Sequence, residues 1–168
     1  MQEMVIYGVS FDLVGKQPIV LLKTADGNKF LPIWIGHPEA AAILMKLQGA
    51  STPRPMTHDL VTELLGQLDA QVVRITVTEL KENTFYATIF LQQDGGPELE
   101  IDSRPSDAIA LAVRADAPIF ADDRVIEESA IEFEGEEVNE EEIVSEFKQF
   151  LENVTPDEFA EAEGEEES

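Results

Sequence analysis

The chain has 168 residues, 43% of them hydrophobic, which is enough for one buried core of ordinary domain size. It contains no cysteine, which excludes a disulfide framework and a thiolate metal site. No apolar run approaches the roughly 18 residues needed to span a membrane, and no signal-peptide pattern is present, so the expectation is a cytoplasmic protein without a membrane partner.

The net charge of −24 is concentrated at the C-terminal end. Residues 132–168 hold 16 acidic residues and one lysine, a net charge of −15, and residues 1–131 carry the other −9. We therefore predict a domain over residues 1–131, followed over residues 132–168 by an acidic linker, a short amphipathic helix and a disordered end. A protein of this charge repels nucleic acid at long range, so a nucleic-acid role requires a local basic patch or bound cations.

In chain order, the first half predicts three strands and then two helices. Runs of β-branched and aromatic residues mark the strands, and apolar residues at helical spacing mark the helices. The five elements are expected over residues 4–13, 19–24, 30–35, 37–48 and 57–68. The strands are almost continuously apolar, which favours a sheet covered on both faces and places Trp34 in the core.

The second half repeats this order with one helix fewer. Strands are predicted over residues 72–80, 84–92 and 98–102, and a helix opens at residues 103–107. In the first of these strands, Val73, Ile75 and Val77 alternate with polar residues, which predicts that one face is in water. A short strand at residues 119–120 and a turn of helix at residues 122–129 follow.

A shift of 68 residues superimposes the two halves. Leu31-Pro32-Ile33 falls on Leu99-Glu100-Ile101, and the turn pair Asp26-Gly27 falls on Asp94-Gly95. At the same shift Glu39 falls on Asp107, at the start of a helix in each half. The pattern predicts an α+β domain in which two duplicated β-β-β-α halves form one mixed sheet with helices packed around it.

Three predicted helix starts carry similar polar residues, at 36–39, 54–59 and 103–107. Free N–H groups at a helix start, with an arginine just outside, suit a phosphate, so Arg54, Arg104 and Ser106 are candidate phosphate ligands. Glu39, Asp59 and Asp107 are candidate ligands of a divalent cation such as Mg²⁺ or Mn²⁺, and His58 can move protons. No organic cofactor is predicted.

Structural roles remain open for the same residues. Acidic residues in a first helical turn interact favourably with the helix dipole whatever else they do. Arg54 and Arg104 can brace neighbouring loops, and His37 is more typical of a loop or capping residue than of a ligand. Arg114 and Arg124 either extend a basic strip from Arg104 or pair with Asp122 and Asp123.

The chain resembles the bifunctional nuclease family in three ordered motifs: Leu31-Pro32-Ile33-Trp34-Ile35-Gly36, then Arg54-Pro55-Met56-Thr57-His58-Asp59-Leu60, then Ser103-Arg104-Pro105-Ser106-Asp107-Ala108-Ile109-Ala110-Leu111-Ala112. The resemblance covers about residues 4–131 and leaves the acidic segment outside. It implies a compact, oligomeric α+β domain, for which we expect a homodimer, with DNase and RNase activity.

The leading hypothesis is therefore a metal-assisted nuclease that acts on DNA, RNA or both with little sequence preference. His58, Asp59 and Asp107 are its candidate catalytic residues. One alternative is a non-catalytic regulatory module that binds a phosphorylated or anionic small molecule, while the acidic segment recruits a basic protein. Another is a scaffold whose acidic segment mimics nucleic acid.

Overall fold

A computed structural model describes residues 1–11 and 16–132, and beyond them Ser145 and Gln149. The end of the first predicted strand lies outside these residues, as do the predicted acidic linker, amphipathic helix and disordered end, apart from Glu132 and those two positions. Among the described helices, none is both long enough and apolar enough to cross a membrane.

The first half folds in the predicted order, three strands followed by two helices. Its elements are β1 (Gln2–Phe11), β2 (Pro18–Thr24), β3 (Lys29–Trp34), α1 (His37–Leu47) and α2 (Thr57–Gln67). The strands pair as an antiparallel meander, β1 with β2 and β2 with β3. Strand β3 ends at Trp34, and α1 begins three residues later at His37, so α1 starts beside the end of the last strand of the meander.

The second half forms a second antiparallel meander and then adds three short elements. The strands β4, β5 and β6 pair in sequence order. The elements are β4 (Ala70–Lys81), β5 (Thr84–Gln93), β6 (Glu98–Ser103), α3 (Pro105–Ala115), β7 (Ile119–Ala121), α4 (Asp123–Ser129) and β8 (Ile131–Glu132).

All eight described strands join in one sheet, in the order β6-β5-β4-β7-β1-β2-β3-β8. The short strand β7 connects the two meanders, because it pairs parallel with β4 and antiparallel with β1. The predicted α+β class with a mixed sheet is confirmed. Helix α1 spans residues 37–47 and helix α3 spans residues 105–115. The first residues of the two helices, and their last residues, are therefore 68 positions apart, the same shift that relates the two halves of the sequence. The duplication itself stays a prediction.

The main core lies where helices α1, α3 and α4 pack on the sheet, with α3 in contact with both α1 and α2. Strand β2 is buried on both faces, as predicted: Val20 and Leu22 belong to the main core, whereas Ile19 and Leu21 join Phe30 in a second cluster. Trp34 packs against this second cluster and is partly buried.

The prediction that one face of β4 is wet is wrong at Thr76, which is 4% exposed. The strand lies inside the sheet between β5 and β7, and its register shifts twice where it pairs with β5, so simple alternation does not hold along it. Met1 also lies beside Thr76, whose hydroxyl is 3.8 Å from the Met1 sulfur.

Helix α2 presents two apolar stripes, of which only one is buried against the domain. Val61 and Leu65 pack on the main core. Leu60, Leu64 and Leu68 are 49%, 53% and 60% exposed. Helical spacing therefore predicted the helix but could not show which of its apolar residues face the core.

Substitution by alanine should change the free energy of unfolding in opposite directions at two glycines near the helices. Gly49 follows α1 with φ of +68°, whereas Gly66 lies within α2, where an added Cβ meets nothing within 4 Å. Gly49→Ala should lower the free energy of unfolding by about 1–2 kcal/mol because L residues are strained at positive φ. Gly66→Ala should raise it by roughly 0.4–1 kcal/mol because it reduces the entropy of the unfolded chain. Denaturant unfolding measures both, and equal effects of the two variants would contradict the assigned geometry.

Candidate functional site

Three helix starts meet on the helical side of the sheet, at the beginnings of α1, α2 and α3. The structure brings together Glu39 from α1, His58 from α2, and Arg104 and Asp107 from α3, which we call the helix-start cluster. Glu39 and Asp107 occupy the same position in their helices, the third residue of each. In each helix, one of the first two residues is a proline. The equivalent positions of Glu39 and Asp107 thus place two carboxylates beside the α1–α3 contact.

Arg104 joins the two carboxylates. Its Nη2 donates to Oε1 of Glu39 at 2.8 Å, and its Nε donates to Oδ2 of Asp107 at 2.9 Å. The Asp107 and Glu39 carboxylates raise the pKa of Arg104 above its ordinary value, so the guanidinium remains charged. The Glu39 carboxylate lies over Gly36, where a Cβ would overlap it. The Arg104 side chain is 66% exposed and the Glu39 side chain 13% exposed, so the arginine faces solvent with a carboxylate behind it.

His58 completes the cluster from the first turn of α2. Its Nε2 lies 2.8 Å from Oδ1 of Asp107, and its ring is mostly buried, with the side chain 12% exposed. A neutral imidazole that donates Nε2–H to a carboxylate keeps Nδ1 as a proton acceptor. A histidine oriented by a carboxylate is the arrangement that general acid–base catalysis requires.

Asp59 lies outside the cluster, although it is adjacent to His58 in sequence. Its Oδ1 accepts a hydrogen bond from Nε of Arg114 at 2.7 Å, and its Oδ2 accepts from the backbone N–H of Met56 at 3.0 Å. Arg114, followed by the Met56 N–H, lowers the pKa of Asp59 below its ordinary value. Neighbouring residues of a helix point in different directions, which explains the separation.

Arg114 is the residue whose importance the sequence did not show. Its side chain is 7% exposed, and Asp59, rather than Asp122 or Asp123, is its partner. No local pattern links the two, because they are 55 residues apart and meet only when α2 packs on α3. Asp122 instead accepts the N–H of Arg124 at the start of α4, and Asp123 pairs with the amino group of Met1.

The two other predicted phosphate ligands are placed differently from Arg104. Arg54 is exposed in the loop before α2, and its side chain makes no ion pair within the described ranges 1–11 and 16–132. Ser106 is 6% exposed, so its hydroxyl is poorly placed to meet a phosphate that arrives from solvent. His37 is outside the cluster, and its Nε2 lies 3.0 Å from the carbonyl of Lys16, to which it donates.

The predicted metal ligands do not form a ready metal site. Within the residues that the structure describes, no group of three or more histidine and carboxylate side chains is placed to hold a metal ion. Glu39 and Asp107 are both engaged by Arg104, and Asp59 is paired with Arg114. This donor set does not fit a resident divalent cation in the arrangement described.

Comparison with known sequences places the chain in a family. The sequence model of the bifunctional nuclease domain matches residues 20–134, which include the whole helix-start cluster. The chain belongs to the bifunctional nuclease family. The predicted resemblance is thereby confirmed, and Arg114 also lies within the matched part.

Relatives of this protein occur in bacteria and in plants. An uncharacterized protein of Mycobacterium tuberculosis is 36% identical over 165 residues, which cover 95% of this chain and 98% of that protein. Bifunctional nuclease 1 of Arabidopsis thaliana is 30% identical over 105 residues, covering 61% of this chain and 32% of the plant protein. Bifunctional nuclease 1 of Oryza sativa subsp. japonica is 29% identical over 109 residues, which cover 63% of this chain and 33% of the rice protein. The chain thus spans about a third of the length of these plant relatives.

Proposed function

We propose that this family member hydrolyses phosphodiester bonds of DNA, RNA or both, with little sequence preference, at the helix-start cluster. The observation that carries the proposal is the contact between His58 and Asp107, beside a solvent-facing arginine. The family name, and the names of the plant relatives, give the reaction class. The geometry supplies the roles of the side chains.

Arg104 is the phosphate-binding residue of this proposal. Its Nε and Nη2 are engaged by Asp107 and Glu39, and its Nη1 has no hydrogen-bond partner in the described part of the chain. Nη1 therefore has two N–H groups for a phosphate oxygen, and the two carboxylates keep the guanidinium oriented. Charge-assisted bonds of this kind strengthen as negative charge develops on the phosphorus oxygens.

His58 is the proton-transfer residue, and Asp107 positions it. With Nε2–H held by Asp107, Nδ1 takes the proton from an attacking water, and the imidazolium that forms is stabilised by the carboxylate. Proton transfer of this kind contributes roughly 10²–10⁴-fold to a rate. The bond that forms joins the water oxygen to phosphorus, and the bond that breaks releases an ester oxygen, which takes a proton from solvent while the imidazolium returns its proton to solvent.

The charge of the cluster opposes substrate binding. Two carboxylates and one arginine leave a net charge of −1 when His58 is neutral, and the domain around them is also acidic. Because of this deficit, assistance by a divalent cation remains a prediction. Binding of Mg²⁺ or Mn²⁺ requires Arg104 to release Glu39 and Asp107, and loss of cleavage in a chelator would support it.

Arg104→Ala tests the proposal directly. It should lower kcat/KM for a short oligonucleotide by roughly 10–100-fold, because one charge-assisted hydrogen bond is worth about 1.5–3 kcal/mol. Arg124→Ala removes an exposed arginine from α4 and should leave cleavage unchanged, while Arg54→Ala tests the second predicted phosphate ligand. The measurement is the initial rate of fluorogenic oligonucleotide cleavage by the purified full chain. Equal activity in Arg104→Ala and Arg124→Ala would reject the site.

A binding module without catalysis is the second candidate, and one observation favours it. Arg104 is 66% exposed whereas His58 is 12% exposed, so an anion can reach the guanidinium without reaching the imidazole. In that case, inorganic phosphate or a nucleotide raises the unfolding temperature of the protein, Arg104→Ala abolishes the shift, and no oligonucleotide is cleaved. For the nuclease and for the binding module alike, we also predict that residues 132–168 recruit a basic protein and that the chain forms a homodimer.

A further inference from the structure

A cleft of about 330 Å³ opens between the end of α1 and the start of α2. We call it the α1–α2 cleft. Its lining includes Met45 and Lys46 from α1, Thr52 and Met56 from the following loop, Asp59 from α2 and Arg114 from α3. The volume falls within the usual range of small-ligand pockets, of which the lower limit is about 300 Å³. The cleft shares no lining residue with the helix-start cluster, but Asp59 follows His58 directly.

The apolar part of the cleft suits a flat aromatic ring. Met45 is partly buried, and Met56 is 37% exposed. Thioether side chains are flexible and polarisable, and they make favourable contacts with aromatic rings. Neither methionine belongs to the main core.

The polar part of the cleft is a carboxylate held in place. Arg114, whose side chain is 7% exposed, donates to Oδ1 of Asp59, and the Met56 N–H donates to Oδ2. Each carboxylate oxygen has a further lone pair, and the Asp59 side chain is 40% exposed. Asp59 thus presents oriented acceptors, and no donors, to a ligand in the cleft.

We propose that the α1–α2 cleft binds one base of a nucleic acid, with the ring between Met45 and Met56 and an exocyclic amino group donating to Asp59. This inference rests on the proposed nuclease function and adds a base subsite to it. Cytosine, adenine and guanine carry such an amino group, as a carboxylate acceptor requires. Uracil and thymine instead place carbonyl oxygens on both sides of their ring N–H, and these oxygens repel the carboxylate. Asp59 therefore favours amino-bearing bases at one position of the strand.

The base site and the phosphate site are connected through the first turn of α2, where Asp59 follows His58, and His58 contacts Asp107 beside Arg104. His58 and Asp59 leave the first turn of α2 in different directions, so the base at Asp59 and the phosphate at Arg104 lie on different sides of that turn. Lys46, exposed at the cleft, adds a positive charge to the lining that a phosphate can approach.

The test compares CMP with UMP, since the two nucleotides differ in the base edge that meets Asp59. Isothermal titration with the full chain should give a Kd for CMP roughly 10-fold or more below that for UMP. Asp59→Asn should reduce this ratio to about threefold or less, since an amide can also donate to a carbonyl. Met45→Ala should weaken both nucleotides, while Leu47→Ala, which removes an exposed side chain from the same helix, should weaken neither.

The outcomes separate this inference from the proposed hydrolysis. Preferential CMP binding without any cleavage of oligonucleotides would reject the hydrolase and retain the base subsite. Cleavage with equal binding of CMP and UMP, or with no effect of Met45→Ala, would reject the subsite and retain the hydrolase. Thermal unfolding of each variant identifies a loss of fold, and Met45→Ala provides a readout independent of the Asp59–Arg114 pair.

Discussion

His58→Ala and Asp107→Asn should each lower kcat for oligonucleotide cleavage by roughly 10²–10⁴-fold. The first removes the proton acceptor, and the second removes the charge that fixes the imidazole tautomer and stabilises the imidazolium. Because Asp107 acts through His58, the double variant should lose little more than either single variant. Single-turnover rates with saturating enzyme separate this loss in the chemical step from a change in binding.

Glu63→Gln is the matched control, since it removes a carboxylate charge from the exposed side of the same helix as His58. Its activity should equal that of the unchanged protein. Additive losses in the double variant would show that His58 and Asp107 do not act together. A trace activity that persists unchanged in all four proteins would identify a contaminating nuclease.

The sequence identified three polar helix starts and, through the shift of 68 residues, paired Glu39 with Asp107, but it did not show that the three starts meet. In the structure, Arg104 donates a hydrogen bond to each of these carboxylates, and its positive charge offsets the repulsion between them.

Asp59 and Ser106 could not be placed in the same way. Both belong to helix starts that the sequence identified, but the direction of each side chain depends on how its helix is rotated against the domain. Ser106 is buried in α3, whereas Asp59 faces Arg114 across the α2–α3 contact. A hydrophobic pattern with two stripes, as in α2, does not fix that rotation.

Arg114→Met should lower the free energy of unfolding by about 2–3 kcal/mol, below the roughly 3–5 kcal/mol of a fully buried pair because Asp59 is partly exposed. The Arg114 guanidinium connects three helices: it donates to Asp59 on α2, to the Ala110 carbonyl on α3 and, at 3.2 Å, to the Ala42 carbonyl on α1. Methionine fills similar space without these bonds. For a protein of this size, each kcal/mol lowers Tm by roughly 2–4 °C.

Arg74→Met is the control for this substitution. Arg74 also pairs with a carboxylate, Glu98, at 2.7 Å, and lies over the ring of Phe90, but on the sheet with more solvent around it. Surface ion pairs contribute about 0–1 kcal/mol, and an exposed cation–π contact about 0.5–1 kcal/mol. Calorimetry should therefore rank Arg114→Met below Arg74→Met in Tm, and the reverse order would contradict the role of Arg114 as the link between the helices.

The Asp59–Arg114 pair also predicts how the stability difference between the unchanged protein and Asp59→Asn varies with pH. The pKa of Asp59 is lowered in the folded state from an ordinary value of 3.8, so its ionised form stabilises the fold above that value. The difference should be constant at neutral pH and shrink as the pH falls below about 4, through the folded-state pKa, because protonation removes the charge that holds Arg114. Other carboxylates titrate in both proteins and cancel in the comparison. Urea unfolding from neutral to acidic pH measures the difference, and a gap that persists undiminished in acid would show that the carboxylate charge of Asp59 does not stabilise the contact between α2 and α3.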